Sequence, residues 1–194
     1  EAQGVPTHYV EELSDRETAV KKVSIVPLEV IIRNISAGSF AKRYGVEEGI
    51  VFDQPTIEFS YKNDALGDPL LNTYHALALK LATAEEIETI KNYAFAVNKV
   101  LKAFWAECGV TLVDFKLEFG RLADGNIRQI DIQIVSAALD GLFAVAGNGY
   151  LIDAFQIADA KEAALPGLLV FEDRIVAPHS GRAAFIDGDA HRKI

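Results

Sequence analysis

The sequence is poor in sulfur-containing residues, with one cysteine and no methionine among 194 residues. The single cysteine, Cys108, cannot form an internal disulfide. This is typical of proteins from a reducing compartment, which favours a cytoplasmic location. Because the chain begins at Glu1 and has no methionine, we expect a processed, truncated or engineered form of a longer product.

Positive charge and long apolar runs are also scarce. The chain has 19 Lys and Arg against 28 Asp and Glu, a formal net charge of -9, whereas a nucleic-acid-binding surface is usually basic. No apolar run approaches the roughly 18 to 20 residues that cross a bilayer, and no signal peptide is recognisable. The composition therefore argues against nucleic-acid and membrane partners, and it is typical of a soluble domain with a real hydrophobic core.

The apolar patterns predict an α+β protein in which helices pack on an antiparallel sheet. Residues 20–35 are rich in Val and Ile and predict a long strand or strand pair, with a break or an edge at Pro27. Residues 36–44 predict a short helix that ends at Gly45, residues 56–62 a strand, and residues 73–81 another short helix. Thr83 and Glu86 form a capping-box pattern, and the helical spacing that follows predicts a helix over residues 84–107.

The segment VDFKLEFG, residues 113–120, alternates strictly between apolar and other residues, which predicts a half-buried strand with its charged side chains on one face. Asp124-Gly125 predicts a two-residue type I′ turn after it. In that register Glu118 lies opposite Asp131, and two carboxylates so close repel each other. Either Mg²⁺, which prefers oxygen ligands, or Lys116 on the same face could neutralise them, and a solvated charged face without a metal is the simpler alternative.

Two other segments carry candidate binding residues. RNISAGS, residues 33–39, runs from a strand end into a helix, where backbone N–H groups and the Arg33 side chain suit an anion. The alternative is an ordinary helix cap by Ser36. The loop after Lys62, with Asp68-Pro69, places acids directly after a strand, although acid-rich loops are often only turns.

Together these stretches resemble the SAICAR synthetase (phosphoribosylaminoimidazole-succinocarboxamide synthase) family. The resemblance covers residues 1–131 through GVPTHYVEELSDRE, VKKVSIVPLEVIIRNISAGSFAKRYGVEEG, YKNDALGDPLLN and VDFKLEFG, in the family's order. It implies a ligase of purine biosynthesis that uses ATP and Mg²⁺. In that reaction a carboxylated aminoimidazole ribotide is activated as an acyl phosphate and is then joined to L-aspartate.

The resemblance also implies roles for individual residues. Arg33, Ser39, Lys62 and Asp68 match substrate-binding positions. Lys116 and Glu118 match the nucleotide site, and Lys116 and Asp68 are the expected catalytic residues. The expected metal ligands are Glu118, Asp131 and Asp68.

Residues 132–194 depart from the family. After Asp131 the text reads IDIQIVSAALDGL in place of a family segment like ISPDTCRLWD, and the lysine-bearing glycine-rich lobe that precedes the matched region in the family is missing. We therefore divide the chain into an ATP- and substrate-binding domain, residues 1–131, and a divergent segment, residues 132–194. That segment is either a rearranged N-terminal lobe, as in a circular permutation, or an unrelated tail. Two alternatives to a competent enzyme stay open: a ribotide- or nucleotide-binding pseudoenzyme, and a fragment that needs another chain. Homo-oligomerisation also stays open.

Overall fold

The computed structural model of the chain describes residues 4–14, 16–139, 142–145, 184–187 and 190–191. These residues form two sheets and three α-helices, together with a single-turn 3-10 helix at Asp64–Leu66. The strands are β1 Tyr9–Ser14, β2 Glu17–Lys21, β3 Ser24–Ile35, β4 Val51–Tyr61, β5 Leu70–Leu71, β6 Val110–Arg121, β7 Ile127–Leu139, β8 Leu142–Val145, β9 Ala184–Asp187 and β10 Ala190–His191. The helices are α1 Gly38–Tyr44, α2 Thr73–Ala78 and α3 Ala84–Glu107.

The larger sheet has six strands in the order β5-β4-β3-β6-β7-β8, and every neighbouring pair is antiparallel. The smaller sheet has the order β1-β2-β9-β10, in which β2 and β9 are parallel. Helices and a mainly antiparallel sheet thus confirm the predicted α+β class. None of the helices in the described ranges is long and apolar enough to cross a membrane.

Helix α3 begins and ends where the sequence predicts. The Thr83 side chain accepts from the Glu86 N–H, and the Glu86 side chain accepts from the Thr83 N–H, so the predicted capping box is confirmed. The buried side of α3 packs against β6, β3 and β7. Its apolar members are Ile87, Ile90, Ala94 and Trp105. Burial of this stripe against one face of the sheet builds the core and leaves the opposite face of the sheet for polar groups.

Strand β3 shows how the sheet accommodates a proline. Pro27 lies inside this central strand, where it cannot donate a hydrogen bond to a neighbour. The pairing of β3 with β6 is irregular between Ile25 and Glu29, which places the proline in a break in the ladder. The Pro27 carbonyl still accepts from the Lys62 N–H. The predicted break at Pro27 is therefore local, and the strand continues through it.

The β6–β7 hairpin reaches the predicted pairing by a different route. The loop is closed by the Leu122 N–H, which donates to the Asn126 carbonyl. A type I′ turn needs a positive φ at both Asp124 and Gly125, but only Gly125 has one, at 82°. The predicted two-residue turn is therefore wrong, and a three-residue loop with glycine in the left-handed region takes its place. A register shift between Glu118 and Phe119 then restores the pairing of Glu118 with Asp131, which confirms that prediction.

The proposed division at residue 131 stays a prediction. Strand β7 runs through that position to Leu139, and β8 pairs with it. The predicted strand at residues 168–171 lies outside the described residues, as does most of the segment that resembles a rearranged lobe. Of that segment the structure describes β9 and β10, which extend the smaller sheet from β2.

Candidate functional site

The strand register gathers charged side chains on the face of the large sheet opposite α3. Glu29 of β3 lies opposite Glu118 of β6, and Arg33 of β3 lies opposite Asp114. Because paired residues project to the same side of a sheet, these groups share one face. They form two neighbouring sets, a lysine–glutamate quartet and an arginine cluster.

The lysine–glutamate quartet consists of Glu29, Lys62, Lys116 and Glu118. Lys62 Nζ lies 2.7 Å from Glu118 Oε1 and 3.9 Å from Glu29 Oε1, while Lys116 Nζ lies 2.6 Å from Glu29 Oε1 and 4.0 Å from Glu118 Oε1. Each ammonium group therefore bridges both carboxylates. The hydrogen bond to Glu118 raises the pKa of Lys62, against the opposing effect of burial, so this ammonium group keeps its charge at neutral pH.

The arginine cluster consists of Arg33, Ser39, Arg43, Glu58 and Asp114. Arg33 donates from Nε to Glu58 at 2.8 Å, from Nη1 to Asp114 and from Nη2 to the Ser39 hydroxyl at 3.0 Å. Glu58 also accepts from Arg43 Nη2 at 2.6 Å. Burial raises the pKa of Asp114, and the Ser136 hydroxyl and the Arg33 guanidinium oppose that shift. Two arginines and two carboxylates thus alternate in one chain of contacts.

The predicted anion position at the start of α1 is already filled by a side chain. Glu48 Oε1 accepts from the Gly38 N–H at 2.8 Å. Ser36 does not cap the helix: its hydroxyl donates to the Glu47 carbonyl and accepts from the Ile50 N–H, and Ala37 precedes the helix instead. The alternative of a Ser36 cap is therefore wrong, and the Arg33 side chain is the feature of this segment that reaches the charged face.

Asp68 lies apart from both sets. Its Oδ1 accepts from the Asn63 N–H at 2.7 Å, and its backbone φ is 47°, in the left-handed region that non-glycine residues rarely adopt. In the part of the chain that the structure describes, no hydrogen bond or ion pair joins Asp68 to Lys62, Lys116 or Glu118. Such backbone strain is often found at functional loops, and here the carboxylate fixes the loop that follows β4.

The three predicted metal ligands do not converge. Glu118 and Asp131 are cross-strand partners, Asp131 is exposed, and Asp68 lies in its own loop. Among the described residues, no group of three His, Cys, Asp or Glu side chains is placed to hold a metal ion. The structure thus brings together Arg33 with Ser39, and Lys62 with Lys116 and Glu118. The metal set and the other residue roles stay predictions.

Sequence reasoning missed three members of these sets: Glu29, Arg43 and Glu58. Glu29 and Glu58 occur in strands that alternate between apolar and polar residues, so the period of each strand placed them on a polar face. The period of a strand does not show which residues of the adjacent strands these two glutamates contact. Asp114 was placed on the charged face by the alternation, but its pairing with Arg33 depends on the order of the strands.

Comparison with known proteins assigns a family to this arrangement. The SAICAR synthetase family model matches residues 1–136, which is more than two thirds of the chain. The phosphoribosylaminoimidazole-succinocarboxamide synthase of Lachnoclostridium phytofermentans is 64% identical over 124 residues, which cover 64% of this chain and 53% of that protein. The synthase of Lactococcus lactis subsp. lactis is 58% identical over 126 residues, 65% of this chain and 53% of that protein. The chain thus spans about half the length of the curated relatives that it matches.

Solved structures agree with the sequence match. The synthase from Ehrlichia chaffeensis superposes with a TM-score of 0.68 at 32% identity, covering 86% of this chain and 76% of that one. A SAICAR synthetase (Type-2) in complex with ADP superposes with a TM-score of 0.66 at 33% identity, with the same two coverages. The family-model match, residues 1–136, includes every residue of the quartet and of the arginine cluster. The chain belongs to the SAICAR synthetase family.

Proposed function

We propose that this chain carries the substrate- and nucleotide-binding face of an ATP-dependent carbon–nitrogen ligase of de novo purine biosynthesis. The ligase joins a carboxylated aminoimidazole ribotide to L-aspartate. The observation that carries the proposal is the charged face of the large sheet, where four cations and four carboxylates lie within the segments matched by the family. Such a face suits substrates that are themselves anions.

The reaction has two steps. A carboxylate oxygen of the ribotide takes the γ-phosphoryl group of ATP, which releases ADP and forms an acyl phosphate. The aspartate amine then attacks the acyl carbon, so that a C–N bond forms, the C–O bond to phosphate breaks, and the amine loses a proton. Both steps bring anions together, and they need cations and orientation more than a side-chain nucleophile.

In this proposal the quartet serves phosphoryl transfer. Lys62 and Lys116 are held close together by Glu29 and Glu118 before any ligand arrives. Bound phosphoryl oxygens would compete with the glutamates for the two ammonium groups and gain charge-assisted hydrogen bonds in a partly buried setting. Lys116 keeps the catalytic role that the resemblance implies. Asp68, in the loop that follows β4, is a substrate-binding residue.

Glu118 and Asp131 are the residues that would hold Mg²⁺. They are direct cross-strand partners, and a site with two carboxylates suits Mg²⁺, which usually keeps several waters and takes further oxygens from substrate phosphates. When bound, the ion would neutralise charge on the phosphoryl group. Asp68 remains a proposed third ligand.

A titration with ADP, with and without Mg²⁺, tests the nucleotide part of this proposal. We expect magnesium-dependent binding by calorimetry, and we expect Glu118→Gln to weaken it by roughly tenfold or more, because the substitution removes one carboxylate ligand. Glu88→Gln is the matched control, since Glu88 is an exposed residue of α3 whose ion-pair partner is Lys91. Equal binding by the wild type and Glu118→Gln would remove Glu118 from the metal site.

The second candidate is a catalytically impaired ribotide- or nucleotide-binding protein, or a fragment of the ligase. It is favoured by the end of the family match at residue 136 and by the half-length coverage of the relatives. Phosphate release in the presence of ATP, the ribotide and L-aspartate separates the two candidates. Release that depends on L-aspartate supports the ligase, whereas ligand binding without release supports the impaired protein. Sedimentation shows whether the chain forms a homo-oligomer, which the sequence left open.

A further inference from the structure

A pair of asparagine side chains is buried between the large sheet and α3. Asn34 of β3 and Asn98 of α3 are each 4% exposed, and the amide Nδ2 of each donates to the Oδ1 of the other at 2.9 Å. The other side chains that α3 buries belong to Ile, Ala and Trp residues. Because a buried amide without a partner is costly, each asparagine depends on the other in this apolar setting.

The asparagine pair lies where β3 reaches the end of its regular ladders. The pairing of β3 with β6 runs as far as Arg33 opposite Asp114. Its pairing with β4 shifts between Arg33 and Ile35, so Asn34 falls within the irregularity. There the Asn34 side chain also donates from Nδ2 to the Leu112 carbonyl of β6 at 3.4 Å. Side-chain amides thus attach the end of β3 to α3 and to β6 at the point where the ladders become irregular.

Asn34 and Arg33 are neighbours in β3, and their side chains project to opposite faces of the sheet. Asn34 points toward α3, whereas Arg33 reaches the charged face. There Arg33 donates to three side chains, and its distances to Glu58 and Ser39 are 2.8 and 3.0 Å. Such bonds tolerate little movement of the strand, and misplacement of a binding group by about 1 Å can cost roughly 100-fold in rate.

We infer that Asn98 is a positioning residue: through its two hydrogen bonds to Asn34 it fixes the end of β3, and thereby Arg33, in the position that receives the ribotide. The inference rests on the proposed function. Asn98 lies on the side of the sheet opposite the charged face, so its effect passes through β3. For stability alone an apolar pair would serve about as well, since replacing both partners of a buried hydrogen bond can be nearly neutral. Directional hydrogen bonds add one defined placement of β3 against α3, which non-directional apolar contacts do not specify.

The first test separates stability from positioning. The double variant Asn34→Leu/Asn98→Leu leaves no amide unpaired, so its midpoint of thermal unfolding should be at or above that of Asn98→Leu alone. Calorimetry with aminoimidazole carboxamide ribotide should nevertheless show binding weakened by roughly 10- to 100-fold in both variants. Binding of ADP with Mg²⁺ should stay within about twofold of the wild type, because Glu29, the quartet residue of β3, lies within the regular ladder. Asn92→Leu is the matched control, since Asn92 is an exposed asparagine of α3.

Asn98→Asp supplies a second test that does not depend on the folding of the double variant. A protonated carboxyl group both donates and accepts, as an amide does, so it can restore the pair, whereas the ionised form cannot donate to Asn34. Burial raises the pKa of such a carboxyl group. Relative to the wild type at the same pH, ribotide binding by Asn98→Asp should therefore be weak at about pH 8 and recover at about pH 6.

The outcomes separate this inference from the proposed function. Ribotide binding by the double variant equal to that of the wild type overturns the role of Asn98 and leaves the ligase proposal standing. An equal loss for ribotide and ADP, or an equal loss in Asn92→Leu, also overturns it, because the effect would then be general. If the double variant does not fold, recovery of Asn98→Asp in acid supports the inference and lack of recovery overturns it. Wild type that binds ADP but no ribotide overturns the ribotide site together with this inference, and wild type that binds neither overturns the whole proposed function.

Discussion

Gly120, the last residue of VDFKLEFG, lies where β6 passes close to the connection between β2 and β3. A methyl group added there would lie 2.6 Å from Val23 Cγ2 and 2.8 Å from Val23 Cβ, against ordinary carbon–carbon contacts of about 3.5 to 4.0 Å. The side-chain methyl could rotate away, but Val23 Cβ is fixed to the backbone and cannot. We therefore expect Gly120→Ala to force the two backbones apart.

The cost follows from that overlap of nearly 1 Å. Overpacking of this kind costs about 1 to 3 kcal/mol. At about 2 kcal/mol, the midpoint of thermal unfolding should fall by roughly 4 to 8 °C for a protein of this size. Urea unfolding measures the same change, because the one tryptophan, Trp105, is buried against the core and reports loss of tertiary structure by its fluorescence.

A double-mutant cycle identifies Val23 as the cause. In a Val23→Gly background, which removes both contacting atoms, Gly120→Ala should cost less than about 0.5 kcal/mol, the additivity limit for independent sites. In a Val23→Ala background only the methyl contact is removed, so most of the cost should remain. If Gly120→Ala is as costly in the Val23→Gly background as in the wild type, or costs nothing at all, the steric account of this glycine is refuted.

Two further predictions concern charge and backbone strain near α3, and both are measured by chemical unfolding. Arg121 donates to Glu86 and thereby lowers the pKa of that carboxyl below its ordinary value of 4.5. A lowered folded-state pKa gives stability that is present above pH 4.5 and is lost as the pH falls through the folded value. Glu86→Gln keeps the cap but removes the charge, so it should lower the free energy of unfolding by about 1 kcal/mol at pH 7 and leave it unchanged in acid. An equal loss of stability at both pH values would contradict this account. Lys80 has a φ of 54° just after α2, so Lys80→Gly should stabilise the protein by about 0.5 to 1 kcal/mol, while Lys80→Ala should not, and equal effects of the two would contradict strain as the cause.

The clearest success of sequence reasoning is α3, whose predicted bounds agree with the structure. Its cap and its apolar spacing depend on residues within a few positions of each other, so local interactions are sufficient to place it. The hairpin shows the opposite case. The dipeptide Asp124-Gly125 favours a two-residue turn, yet the structure has a three-residue loop and a bulge that restores the Glu118–Asp131 pair. The longer loop and the bulge each shift the pairing by one residue, and together they give the register that is observed. That register is selected by the packing of both strands against the core.

The sequence by itself determined the family, the α+β class and the presence of charged residues on polar strand faces. These properties follow from periodicity, capping and motifs that lie close together in the chain. Tertiary structure decided which charges meet: Lys62 with Glu118 across 56 positions, Lys116 with Glu29 across 87, and Arg33 with both Glu58 and Asp114. Strand order and register set these pairs, and both depend on how the whole sheet buries its apolar face, a property that no local segment contains.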